Sequence, residues 1–266
     1  MKKALLKLLL FAVAVYCFYA WQMWRVQRGI LFPGTTLKAQ ALPAGAQRVA
    51  LRASFGRVDV AWLPPGPAAD GRAIVYLHGN YETIGSAARD VAPLHALGPG
   101  VALVEFPGYG GAPGAPTLES LREASTLAYD WVARQPGVRA DAITVMGRSI
   151  GGGPASLLAV DRPARALLLL STFSDLESFA HGRLLPAALI KDRYDNAARL
   201  RELRAPVLVV HGRRDELIPF AQSSILSHAA RDAPVVALDC GHNDCRYFAG
   251  ESLARIRAFL AAAPPR

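Results

Sequence analysis

Six short apolar runs, separated by stretches with helical periodicity, constrain the fold of this chain more than any other feature. The runs, most of them rich in Val, Leu or Ile, lie at 73–77, 101–106, 142–146, 166–170, 206–210 and 234–238. Near-continuous apolar strands suit a sheet that is covered on both faces. Helical patterns fill most of the intervals, at 83–97, 118–134, 150–160, 219–230 and 246–262. The alternation predicts an α/β fold with a doubly wound, mostly parallel sheet and helices on both faces.

Two further strands are predicted ahead of these runs. Residues 48–53 and 57–63 alternate between apolar and polar side chains, and a Ser-Phe-Gly turn at 54–56 separates them. This pattern is typical of a β-hairpin. The expected sheet therefore has eight strands, in one domain that spans residues 47–266.

The N-terminal segment has the length and composition of a membrane span. Residues 4–24 are largely apolar, and residues 8–21 carry no charge. At about 1.5 Å per residue, such a helix crosses the roughly 30 Å hydrocarbon core of a bilayer. Lysines precede it and aromatic side chains gather at its far end, as an interfacial belt does. We expect a membrane anchor at residues 1–25, followed by a connector at 26–46.

A cleaved signal peptide is the alternative interpretation of this segment. The small-x-small sequence at Ala12–Ala14 would leave an apolar stub after cleavage, and a site after Ala20 would have the bulky Phe18 at its −3 position. We therefore favour an uncleaved, single-pass anchor, in a bacterial inner membrane. The N-terminal lysines and free amine slightly favour a cytoplasmic N-terminus, and the side occupied by the folded domain stays open.

Composition excludes several other classes of protein. A hydrophobic content of 52% rules out a mainly disordered chain. Three cysteines are too few for a disulfide-dense scaffold or a four-cysteine zinc site. The net charge of +9 comes from scattered arginines without a long basic run, so we expect no nucleic-acid partner.

The residues that follow the strands point to a chemistry. The sequence GRSIG at 147–151 stands between a predicted strand and a predicted helix, which is the setting of a nucleophile elbow with Ser149 as the nucleophile. The glycines leave room for the neighbouring backbone in a sharp turn. A phosphate-binding loop would need GxxxxGK[ST] or GxGxxG, and neither occurs here.

A serine nucleophile needs a base and an acid to orient it. His242 follows the last strand and is our candidate base, whereas the other histidines have less suitable contexts: His78, His95, His181, His211 and His228. Asp215 follows the preceding strand and is our candidate acid, with Asp175 as its rival. Asp192, Asp195 and Asp239 are interpreted as surface or turn carboxylates. The chain order Ser149, Asp215, His242 is the order of α/β-hydrolases.

Two backbone N–H groups are candidates for an oxyanion hole. The N–H of Ile150 follows the nucleophile, and the loop after the strand at 73–77 offers the N–H of Asn80. Tyr109, in a glycine turn, either forms a wall of the substrate pocket or packs in the core. Cys240 and Cys245 lie on either side of His242, and two unrelated thiols are favoured over a disulfide because sequence alone does not establish Cα proximity.

Taken together, these motifs resemble the serine α/β-hydrolases, and in particular their membrane-anchored, abhydrolase-domain-containing subgroup, which includes serine aminopeptidase-like and lysophospholipase-like hydrolases. The motifs are LFPG at 31–34, HGN at 78–80, GYG at 108–110, GRSIGG at 147–152, HGRRDELIP at 211–219 and GHND at 241–244. The resemblance covers most of residues 30–262. It implies an α/β-hydrolase fold, a Ser–Asp–His triad, no metal or organic cofactor, and hydrolysis of esters or thioesters that are often lipid-like.

The stretch at about 172–205 corresponds to a short cap by the standard of this family. Its apolar residues predict an apolar substrate pocket, with Phe173 as a substrate-binding residue. These residues are Phe173, Leu176, Phe179, Leu184, Leu185, Leu189 and Ile190.

The expected function is a membrane-anchored serine hydrolase that acts on a small-molecule or lipid ester or thioester. A serine peptidase or an acyltransferase with the same triad is the alternative, and a non-catalytic membrane-anchored binding protein is a third hypothesis.

Overall fold

The protein begins with a long, solvent-exposed helix. The structure, a computed structural model, describes residues 1–66, 70–181 and 184–264, without the side chains of Phe179 and His181. Helix α1 spans Lys2–Leu31, or 30 residues, and Ala20 is its buried residue. Within the described chain it is the helix that is long and apolar enough to cross a membrane, with a mean hydropathy of 2.0.

Helix α1 continues beyond residue 25, where we placed the end of the anchor. Residues 25–31 contain no proline, and the helix ends just before Phe32 and Pro33, which opens a 3₁₀ turn at Pro33–Thr36. Proline lacks a backbone N–H and so favours a break at this point. The first part of the expected connector is therefore helical.

The eight predicted strands form one sheet in the described part of the chain. They are β1 (Gln47–Ala53), β2 (Gly56–Leu63), β3 (Ala73–Leu77), β4 (Gly100–Val104), β5 (Ile143–Arg148), β6 (Ala166–Leu170), β7 (Val207–Gly212) and β8 (Val235–Leu238). Their order is β1-β2-β4-β3-β5-β6-β7-β8. Strand β2 is antiparallel to both its neighbours, and β3 to β8 run parallel. The predicted mostly parallel, eight-stranded sheet is confirmed.

Helices cover both faces of this sheet. After α1 they are α2 (Ile84–Asp90), α3 (Ala92–His95), α4 (Leu118–Val132), α5 (Gly152–Asp161), α6 (Glu177–His181), α7 (Asn196–Glu202), α8 (Ala221–Ala229) and α9 (Gly250–Ala262). The helical region predicted at 83–97 is present as two helices, α2 and α3, because Pro93 in the first turn of α3 lacks the N–H that would continue the backbone bonding. The helix predicted from residue 246 begins only at Gly250, because a loop occupies the preceding residues.

The alternation within each strand divides the core into two layers. In β3, Val75 and Leu77 join the layer that packs under α4, α5, α7 and α8. Ile74 and Tyr76 of the same strand join the opposite layer, under α2, α3 and α9. Burial on both faces fixes the register of the strands. The loops that leave the carboxyl ends of β3 to β8 are thereby held at one edge of the sheet.

Candidate active site

Ser149 occupies a strained turn between β5 and α5. Its φ is 52°, in the left-handed region that residues with a Cβ seldom adopt. A Cβ on Gly151 would collide with the carbonyl oxygens of Leu77 and His78. The backbone of the turn therefore presses directly against the end of β3, and the strained conformation is held by its neighbours.

The structure brings Ser149, His242 and Asp215 together in one hydrogen-bonded chain. The Nε2 atom of His242 lies 2.9 Å from the Oγ of Ser149, and its Nδ1 lies 2.8 Å from Oδ2 of Asp215. An ionised carboxylate only accepts hydrogen bonds, so Nδ1 carries the proton. In the neutral imidazole, Nε2 is then free to accept the proton of the serine hydroxyl. This is the arrangement that activates a serine nucleophile.

The carboxylate of Asp215 is buried, and both of its oxygens accept hydrogen bonds. Its Oδ1 accepts from the N–H of Ile218 at 2.7 Å and of Leu217 at 3.0 Å. Burial alone raises the pKa of Asp215, but hydrogen bonds from His211, His242 and the Ile218 N–H outweigh it and bring the pKa below its usual range. The group is therefore a stable anion beside the imidazole.

His211 was not identified from the sequence as part of this site. Its side chain is fully buried, and Nε2 lies 3.3 Å from Oδ2 of Asp215 and 2.8 Å from the carbonyl oxygen of Ile218. It therefore holds both the carboxylate and the loop that carries it. The sequence could have indicated this contact, because His211 is the second-last residue of β7 and precedes Asp215 by four residues.

The rival acid Asp175 and the three aspartates interpreted as surface or turn carboxylates lie outside this hydrogen-bonded chain. Asp175 accepts a hydrogen bond from the N–H of Ser178 at the start of α6, and Asp195 caps α7. Asp239 is exposed, as expected of a turn carboxylate. Asp192 corrects our interpretation, because its side chain is fully buried and paired with Arg28.

The loop after β3 is braced by buried charges. His78 lies 3.1 Å from Glu105. Burial opposes protonation of His78, but the hydrogen bond that it donates to Glu105 and the charges of Glu105 and Glu82 outweigh burial and raise the pKa of His78. Glu82 accepts hydrogen bonds from the N–H of Gly79 and from Arg148. These contacts fix the segment that presents Asn80 beside Ser149, and both Asn80 and Ile150 line the same cavity.

Tyr109 lies behind the cavity rather than on its wall. It is fully buried, and its hydroxyl donates to Oδ1 of Asn80 at 2.7 Å. Its ring packs against His78 and Phe106. Our assignment of Tyr109 as a direct substrate contact is therefore wrong. The glycine turn directs its side chain inward, where its hydroxyl supports Asn80. Phe173 does line the cavity.

A cavity of about 600 Å³ adjoins Ser149, within the range of small-molecule sites. Loops at the carboxyl edge of the sheet form one side and the cap forms another. The apolar cap residues Leu176, Leu185, Leu189 and Ile190 are among its lining. The side chain of Phe179, also expected there, lies outside the described residues.

Helix α1 supplies a third side of this cavity, which the sequence did not indicate. We call these five residues the α1 wall: Met23, Trp24, Gln27, Ile30 and Leu31. Their spacing places them on one face of the helix. A span interpreted only as an anchor thus contributes to the pocket beside the nucleophile.

The two cysteines that flank His242 form a disulfide, which corrects the favoured interpretation as unrelated thiols. The Cα atoms of Cys240 and Cys245 lie 5.2 Å apart, a separation that a disulfide spans. The turn that carries His242 makes this approach possible. The disulfide closes the loop that holds the candidate base.

Among the described residues, the side chains do not meet the requirements of a metal site. No group of three or more His, Cys, Asp or Glu side chains among them could hold a metal ion.

Comparisons with known proteins agree with this fold. The chain is 33% identical over 248 residues to an uncharacterized protein of Mycobacterium tuberculosis, covering 90% of this chain and 88% of that one. It is 25% identical over 191 residues to alpha/beta hydrolase domain-containing protein 17B of Homo sapiens, covering 71% and 66% of the two chains. The crystal structure of an alpha-beta hydrolase from Vibrio vulnificus superposes with a TM-score of 0.73 and 16% identity over 88% of this chain and 92% of that one. No protein-family model matches the chain.

Proposed function

Since this chain belongs to the α/β-hydrolase superfamily, we propose that it is a membrane-anchored serine hydrolase that cleaves carboxylic esters or thioesters. The observation that carries the proposal is the hydrogen-bonded chain from Ser149 through His242 to Asp215. The apolar lining of the adjoining cavity favours a lipid-like acyl group.

The reaction follows from the direction of these hydrogen bonds. The Oγ atom of Ser149 attacks the acyl carbon while its proton passes to Nε2 of His242. The N–H groups of Ile150 and Asn80 stabilise the negative charge that develops on the carbonyl oxygen. The bond to the leaving alcohol or thiol breaks, and this group takes the proton from His242. Water then repeats the sequence on the acyl-enzyme, releases the carboxylic acid and restores Ser149.

Retention of α1 as an anchor is part of this proposal. Its exposed face is a continuous apolar surface, which a membrane would cover. Tyr16 donates a hydrogen bond to the carbonyl oxygen of Leu184 at 3.0 Å. Cleavage after Ala14 leaves an apolar stub, and cleavage after Ala20 removes Tyr16. These contacts support an uncleaved helix.

The disulfide supports placing the domain on the oxidising side of the membrane. Disulfides persist in extracytoplasmic compartments and are rare in the cytosol. With the N-terminus in the cytoplasm, the single span of α1 delivers Cys240 and Cys245 to that side. Gel-shift alkylation of Cys240 and Cys245 in intact cells, in a Cys17→Ser variant with and without reductant, tests this topology. Alkylation without reductant contradicts it.

The catalytic assignment is tested with the full-length protein in detergent micelles. Ser149→Ala is expected to lower kcat/KM for a p-nitrophenyl acyl ester by about 10⁴–10⁶-fold and to abolish labelling by a fluorophosphonate probe. Ser224→Ala, at an exposed position of α8, is the matched control and retains both. Equal labelling of the wild type and Ser149→Ala contradicts the assignment.

A further inference from the structure

We propose that the α1 wall is the acyl-chain subsite of this enzyme and that the substrate is a membrane-resident lipid with a long acyl chain in ester linkage. The chain enters the cavity from the bilayer, alongside α1. The inference rests on the proposed function and goes beyond it, because it assigns a binding role to the anchor and names the source of the substrate.

The first argument is the division of the cavity into apolar and polar parts. The α1 wall and the cap contribute mainly apolar side chains, whereas most of the polar side chains come from α2, from the end of β5 and from the loops after β3 and β8. The polar residues are Asn80, Glu82, Ser86, Asp90, Arg148 and Asn243. An ester bound with its carbonyl at Ser149 would lay its acyl chain toward α1 and its head group toward this polar side.

The second argument is the depth of the cap relative to the anchor. Leu184 lies beside Tyr16, whose hydroxyl donates to its carbonyl oxygen. Tyr16 precedes Trp24 by eight residues, which is about 12 Å along a helix axis. In a membrane whose surface lies at the level of Trp24, the tip of the cap at Leu184 therefore lies below the surface. The gap between the cap and α1 then opens among the lipids.

The third argument is the position of the other exposed apolar side chains. Outside α1, the large exposed hydrophobic residues in the described chain are Tyr81, Leu184, Leu217 and Ile225. Tyr81 and Leu217 line the cavity, and Leu184 contacts α1. Three of the four thus lie at the cavity or beside the anchor, where contact with lipid would remove them from water.

The fourth argument is that polar bonds fix α1 against the cap. Arg28 donates two hydrogen bonds to the buried carboxylate of Asp192, at 2.7 and 3.1 Å. Gln27 donates to the carbonyl oxygen of Leu189 at 3.0 Å and accepts from the N–H of Lys191 at 2.9 Å. An anchor that only tethered the domain would need none of these contacts. They hold the α1 wall at a defined distance from the nucleophile.

The experiment compares tryptophan substitutions at two positions of α1 in the full-length protein. Ile30→Trp fills the subsite, and Val15→Trp adds the same side chain on the exposed apolar surface. The kcat/KM for p-nitrophenyl palmitate, divided by the kcat/KM for p-nitrophenyl acetate, should fall about tenfold or more in Ile30→Trp. The ratio should stay at the wild-type value in Val15→Trp. Equal ratios in all three proteins overturn the inference while the proposed function stands.

Labelling keeps the experiment informative where Ile30→Trp folds poorly. Fluorophosphonate labelling of Ser149 reports an intact site, and Met23→Trp is the second variant of the α1 wall. If neither variant folds, wild-type protein in phosphatidylglycerol vesicles is irradiated with a phospholipid that carries a diazirine in its acyl chain. Adducts should fall on residues 23–31 and 184–190, and should decrease after treatment with a long-chain fluorophosphonate. Adducts confined to residues 4–22 overturn the inference.

A final comparison separates the sources of the acyl group. Wild-type protein in phosphatidylglycerol vesicles that contain palmitoyl lysophosphatidylglycerol should release palmitate, and Ser149→Ala should not. Release from an S-palmitoylated peptide but not from the vesicles overturns the choice of a lipid. If the wild-type protein hydrolyses none of these substrates, p-nitrophenyl acetate included, in a Ser149-dependent way, that result instead contradicts the proposed function.

Discussion

The two sides of the cavity are built by different means. On the side of the sheet, Ser149, Asp215 and His242 occupy short loops at the ends of strands, and the backbone fixes their positions. On the other side, the α1 wall is held by side-chain bonds to the cap, between residues such as Arg28 and Asp192 that are 164 positions apart. The backbone fixes the positions of the reacting groups on the side of the sheet. The residues of the α1 wall can change without moving these groups, so this side suits substrate selection.

The largest expected effect comes from a substitution of the candidate acid, Asp215, on the side of the sheet. Asp215→Asn should lower kcat about 10⁴-fold, because an amide can donate to Nδ1 and favours the tautomer in which Nε2 cannot accept the serine proton. Asp175→Asn, at the rival carboxylate, should remain near the wild-type rate. Steady-state hydrolysis of p-nitrophenyl acetate measures both. A similar loss in the two variants would mean that the acid is assigned wrongly.

A methyl group added to a glycine on each side should have unequal effects. Gly151→Ala should destabilise the protein by about 3 kcal/mol, because the new Cβ meets the carbonyl oxygens of Leu77 and His78. A Cβ on Gly29 of α1 meets nothing within 4 Å, and alanine favours a helix, so Gly29→Ala should change stability by less than about 1 kcal/mol. Thermal unfolding in micelles distinguishes the two, and equal effects would contradict the difference in packing.

The smallest expected effect concerns the bonds between α1 and the cap. Arg28→Met should cost about 1–2 kcal/mol, because it leaves the buried Asp192 without its cation, although Asp192 still accepts from the N–H of Leu118. The half-exposed Arg28 limits the loss through solvent screening. Arg122→Met breaks a more exposed pair with Asp161 and should cost less than about 1 kcal/mol. Chemical denaturation measures both; a larger cost for Arg122→Met contradicts the structural role of Arg28.

The sequence predicted the sheet and the loops that meet at its edge, for a physical reason. Strand periodicity and glycine turns are local signals, so the positions of the strands along the chain, and of Ser149 and His242 after them, follow from neighbouring residues. The inward direction of Tyr109, the burial of Asp192 and the disulfide between Cys240 and Cys245 depend on tertiary packing. A local pattern does not contain them.

The α1 wall was not predicted because the same apolar composition is found in helices that contact lipid and in helices that line a cavity. Apolar residues suit lipid contact and cavity lining equally, so hydropathy does not separate Val15 from Ile30. The distinguishing signal was the pair of polar residues Gln27 and Arg28, which follow the apolar segment at 4–24 in the part of α1 that continues past the predicted anchor.

The proposed anchor, because it also forms a wall of the cavity, is not interchangeable with another hydrophobic helix. A substituted span of equal length would keep the domain at the bilayer but would lack Gln27 and Arg28. Across descendants of this chain, mutations on the lipid-facing side of α1 should accumulate as neutral drift, limited only by hydrophobicity. On the opposite side, changes at Met23, Ile30 and Leu31 would alter substrate range, so one helix would evolve at two rates.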